Sequence, residues 1–79
     1  MSRVASNSAA SVYLGRVPLE HPRPFAEVAR QVGAAHGITV LGVTDPATGS
    51  IDLSPRADFL VQPAHHLIYL ATEPRLELP

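Results

Sequence analysis

Two strand-forming segments of this chain are apolar on both of their faces, and this constrains the fold more than any other feature. In Ile38-Thr39-Val40-Leu41-Gly42-Val43-Thr44, alternation puts Ile38, Val40 and Gly42 on one side and Thr39, Leu41 and Val43 on the other. His66-Leu67-Ile68-Tyr69-Leu70-Ala71 is apolar on both sides in the same way. Side chains of a strand alternate with a period of two, so neither segment offers a polar face to water. Each needs cover on both sides. The chain has 79 residues, enough for one domain, and it has a single segment with clear helical periodicity. One helix covers one side of a small sheet; the other side asks for a second subunit.

That helix is expected from Phe25 to about Ala35. Phe25, Val28, Ala29 and Val32 recur at i, i+3, i+4 and i+7 and form one apolar stripe. Pro24 suits its start and Gly37, after His36, its left-handed stop. Arg23 and Glu27 are spaced for a weak surface ion pair. Before the helix, Val12 to Leu19 reads as a first strand, with Pro18 at a sheet edge, and His21-Pro22-Arg23-Pro24 as an extended connector. After the second strand, Asp45 to Ser50 is a hairpin loop and Ile51-Asp52-Leu53 a short strand stopped by Ser54-Pro55. Phe59-Leu60-Val61 leads into the turn Gln62-Pro63-Ala64 and then the last strand, after which Thr72 to Arg75 leaves the sheet. The fold expected is α+β: a two-layer sandwich in β-α-β-β-β order, a small mostly antiparallel sheet with one helix on a face. Residues 1–11, rich in Ser and Ala, read as a flexible lead-in or linker, and the domain as residues 12–76.

Composition narrows the function. There is no cysteine, which removes disulfides and thiolate metal sites. Net charge is −1 with no basic run, so no nucleic-acid surface is expected. The longest apolar run, Leu67 to Ala71, falls far short of the roughly 20 residues that cross a bilayer. His65 and His66, with Asp58 or Asp45 nearby, are the one candidate metal cluster. Adjacent strand residues point to opposite faces and no third ligand is evident, so no metal site is expected. No Gly-x-Ser-x-Gly elbow and no phosphate-cradling glycine loop is present, and no catalytic residue is assigned.

The pattern of the second half resembles a known family. Phe25-Ala26-Glu27-Val28 on the helix, then Gly37 to Val43, then Pro55-Arg56-Ala57-Asp58-Phe59-Leu60 through His66-Leu67-Ile68-Tyr69-Leu70, is similar to the C-terminal domain of RCK proteins, the TrkA-C domain. The likeness spans roughly Tyr13 to Leu76. It departs where relatives carry Gly-Asp before the last strand, here Ala64-His65; without glycine the turn must avoid positive φ or accept strain. The resemblance implies a homodimeric, non-enzymatic regulatory domain without cofactor, cytoplasmic and close to the inner face of the membrane. Its partners would be a second copy and the remainder of a potassium channel or cation transporter, with no nucleic acid and no membrane insertion of its own. It implies a small effector, cyclic di-AMP or a divalent cation, acting at the dimer interface.

A dinucleotide needs cationic donors and apolar walls. Arg30 and His36, near the helix end beside the interface strand, are the candidate ligand residues, and Val40, Leu41 and Val43 the candidate interface. The alternatives are the dimerisation domain of a transcription regulator and a stand-alone metal- or ligand-binding dimer.

Overall fold

The computed structural model describes residues 10–79. The lead-in expected over residues 1–11 falls for the most part outside these. The elements in chain order are β1 (Ser11–Arg16), β2 (Arg23–Pro24), α1 (Phe25–His36), β3 (Thr39–Asp45), β4 (Ser50–Leu53), β5 (Leu60–Val61) and β6 (His66–Ala71). The four longer strands form one antiparallel sheet in the order β1-β6-β3-β4, and β2 pairs with β5 in a second, two-stranded sheet. With α1 laid over one face, the domain is the expected α+β two-layer sandwich.

The helix forms where its apolar stripe predicts. Val28 and Val32 are buried against the sheet, and Phe25 packs at the margin of the same core. Gly37 adopts a left-handed conformation, φ 66°, and its N–H caps the Gly33 carbonyl. Arg23 and Glu27 form the expected pair at 3.6 Å. The start of α1 is capped from a distance. Pro24 has no N–H and offers no side-chain cap, so the free amides of Phe25 and Ala26 donate to the carbonyls of Phe59 (2.7 Å) and Ala57 (3.0 Å). The segment 57–61, which pairs with Arg23 and Pro24 through β5, thus doubles as the N-terminal cap of the helix.

The covered face of the sheet carries Leu67, Tyr69 and Ala71 of β6 and Val43 of β3, joined by Val17, Ile38, Val61 and Leu76 in a single buried cluster with the helix. The last residues also contribute. The chain leaves the sheet after Ala71, as the sequence suggests, and then folds back, burying Leu76 and pairing Arg16 N–H with the Glu77 carbonyl at 2.7 Å. The Tyr69 hydroxyl, on a side chain with no exposed surface, accepts from the amides of Arg75 (3.0 Å) and Leu76 (3.3 Å). Gly15 makes room for this return: a Cβ there would lie 2.6 Å from Leu76 Cβ.

Strand alternation in β3 is interrupted. Val40 faces Tyr69, Gly42 faces Ile68 and Val43 faces Leu67, with a register shift between Val40 and Gly42. Leu41 is the extra residue of a β-bulge, which resets the alternation. Val40 and Val43 consequently lie on the same side, the side under the helix, although simple alternation separates them.

Candidate functional site

The opposite side of the sheet is uncovered. Residues directly across from one another share a face, so the register assigns it row by row. Val12 and Leu70 lie at one end with Thr39. Leu14, Ile68, Gly42 and Leu53 cross the middle, beside Leu41 of the bulge. Arg16, His66, Thr44 and Ile51 form the other end. Apolar side chains of the two outer strands are well exposed on this face, Ile51 69%, Leu53 62%, Val12 61% and Leu14 47%, while Ile68 at its centre is 8% exposed. Four strands at about 4.8 Å spacing and about 3.3 Å rise per residue give a face of roughly 20 by 20 Å. That is about 400 Å² in projection before side-chain relief is added, against the ~300–600 Å² of the largest patch on a typical monomer.

The three residues expected at an interface are divided by the bulge. Val43 is 2% exposed and belongs to the core, and Val40 packs against that core. Val43 has no surface free for a partner and Val40 is half-buried on the covered side, because the one-residue insertion at Leu41 turns both toward the helix. Leu41 itself is half-buried and takes no part in the core cluster, so it remains with the open face. Val12, Leu14, Ile51 and Leu53 belong to that face and are not evident from the two-sided strands alone. The signal that could have found them is the pairing of β1 and β4 with those strands.

Arg30 is exposed on α1 and His36 sits in its last turn. Six residues apart, they project about 120° from each other around the helix axis. Neither lines the cleft beside the His65 turn or the one beside Leu76.

The two histidines before and in β6 are separated by structure as well as by alternation. His66 is in the strand, across from Arg16 and Thr44 on the open face. His65 builds the turn that leads into β6. Its N–H donates to the Gln62 carbonyl (3.0 Å), and its Nδ1 accepts from the Gln62 N–H (3.0 Å). Two reciprocal bonds close the turn without a glycine, and neither Ala64 nor His65 has positive φ. Among the described residues the non-glycine residue with positive φ is Ser54, φ 62°, where β4 ends and its N–H donates to the Leu41 carbonyl.

His65 also stacks on Phe59, ring centroids 6.1 Å apart, and its Nε2 is 3.9 Å from Asp45 Oδ2. Between this turn and the inner side of the β3–β4 hairpin lies a half-open cleft of about 370 Å³. Val43 gives it apolar surface, Phe59 and His65 one wall, and Asp45, Ser50 and Asp52 its polar rim. A smaller cleft of about 340 Å³ lies at the end of β1 against Leu76 and Glu77. Among the described residues no three His, Asp or Glu side chains converge as a metal site, and no helix is long and apolar enough to cross a membrane.

Comparison with family models, with curated proteins and with solved structures finds no match to this chain.

Proposed function

We propose that this domain is a non-enzymatic regulatory module that pairs with a second copy of itself across the open face of its sheet. In the manner that the RCK C-terminal resemblance implies, the pair acts from the cytoplasm on a potassium channel or cation transporter to which the domain belongs. The observation that carries this reading is the apolar face bearing Val12, Leu14, Leu53 and Ile51, exposed on a domain whose other face is already covered by α1 and the C-terminal return. Isologous stacking of two such faces removes the exposed rows from water. Each protomer offers about 400 Å² in projection, about half of the ~800 Å² per partner of a standard interface.

Regulation follows by population shift. An effector that binds one arrangement of the pair more tightly than another biases the attached gate by that difference in affinity. A dinucleotide such as cyclic di-AMP, held between protomers with Arg30 and His36 as donors, is the effector that the resemblance implies.

The test is potassium or other cation flux in cells that express the intact protein, with and without Leu14→Asp. Loss of the regulated response at unchanged protein abundance is the expected result. A regulated response that survives in a variant shown to be monomeric removes the regulatory role of pairing.

A further inference from the structure

The cleft between the β3–β4 hairpin and the His65 turn has the chemistry of a small-molecule site, and its charge says which molecules it suits. Its volume, about 370 Å³, is that of a pocket for a compact ligand. Two carboxylates, Asp45 and Asp52, stand at its rim, and among the described residues no arginine answers them. Arg16, Arg23, Arg56 and Arg75 lie within 4 Å of Glu77, Glu27, Asp58 and Glu73 respectively. Asp45 has only His65 at that range, and Asp52 has no ion-pair partner among the described residues.

Asp45 is also held in place. Its Oδ1 accepts from the Ala47 N–H at 3.0 Å, which leaves Oδ2 turned toward the cleft and His65. At 3.9 Å the His65 contact is too long for a hydrogen bond, so a donor placed in the cleft meets an open acceptor. The stacked Phe59 and His65 rings provide an aromatic wall, and Phe59 offers a face of the kind that attracts organic cations. Asp45, Asp52 and His65 do not converge as a metal site, and an anion meets like charge.

We infer that this cleft binds a small organic cation, an ammonium or guanidinium attached to a compact apolar body. The charged head would sit between Asp45 and Asp52, and the body against Phe59 and Val43. This inference does not depend on pairing: the cleft lies on the covered side of the sheet and is complete within one chain.

Phenethylamine is the probe, with phenylacetate as its anionic counterpart, each titrated to about 10 mM while backbone amide NMR shifts are followed. The expected result is saturable movement at Ser50, Asp52, Phe59 and His65 with the amine and none with the carboxylate, and affinity about tenfold lower in Asp52→Asn. Asp52 is exposed and makes no structural hydrogen bond, so this variant keeps the fold and removes only charge. No saturable movement with the amine, equal movement with phenylacetate, or unchanged affinity in Asp52→Asn overturns the inference. So does tighter binding of magnesium or calcium at the same amides.

Discussion

Tyr69→Phe removes a single oxygen from the centre of the domain, and the structure fixes what that oxygen does. The ring packs with no exposed surface, 5.7 Å from Tyr13, and none of that packing changes. What is lost is the acceptor for two backbone amides, Arg75 N–H at 3.0 Å and Leu76 N–H at 3.3 Å. Arg75 is exposed, so water replaces part of its bond. Leu76 is 7% exposed, and its amide is left in a poorly hydrated place. A net hydrogen bond is worth about 1 kcal/mol and a stranded buried donor costs about 1–3 kcal/mol. Together these give a loss of about 2 kcal/mol.

In a domain of this size that corresponds to a fall in Tm of roughly 10 °C. Urea denaturation measures the stability, and hydrogen exchange locates the effect. The amides of residues 75–77 should lose protection well before those of β3 and β6, because the C-terminal return is released first. A stability change under about 0.5 kcal/mol, or unchanged protection at Leu76, would show that the return is held by something other than the hydroxyl.

Further perturbations test the local devices. His65→Ala breaks one of the two bonds that close the Gln62–His65 turn and the stack on Phe59, and should cost about 1–2 kcal/mol in denaturation experiments. Ser54→Gly relieves a left-handed conformation that glycine adopts freely and should raise stability by about 0.5–1 kcal/mol, read as a higher denaturation midpoint. Gly42→Ala places a Cβ against the Asp52 carbonyl oxygen, so β4 must move; lost amide protection across Ser50–Leu53 is the expected signature.

Much of this architecture is legible in the residues, and the parts that are not share a cause. The last strand, His66–Ala71, and the helix stripe of Phe25, Val28 and Val32 follow from periodicity, which is a local property. The hairpin and the helix stop follow from Gly49, Gly37 and the loop-forming residues around Asp45. The bulge at Leu41 does not, because alternation counts residues and a bulge depends on how two strands are paired. That single insertion moved Val43 from a presumed interface into the core while leaving Leu41 on the open face.

The capping of α1 by Ala57 and Phe59, the return of Leu76 and the reciprocal Gln62–His65 turn are likewise tertiary devices whose partners are distant or unusual in type. The cleft beside His65 was visible only as fragments. His65 enters the sequence reading as half of a weak His65–His66 metal cluster with Asp58 or Asp45 nearby, whereas Phe59 and Asp52 join Asp45 and His65 only when the helix cap and the hairpin are brought together.

The pairing of two open faces is decided by the mass of the chain in solution. Sedimentation equilibrium at about 100 μM should give twice the 8.4 kDa of one chain. Leu14→Asp should return it to a monomer, because each pair would otherwise bury two unpartnered carboxylates at several kcal/mol apiece. A wild-type chain that sediments as an 8.4 kDa monomer at that concentration, or a dimer untouched by Leu14→Asp, contradicts pairing through this face.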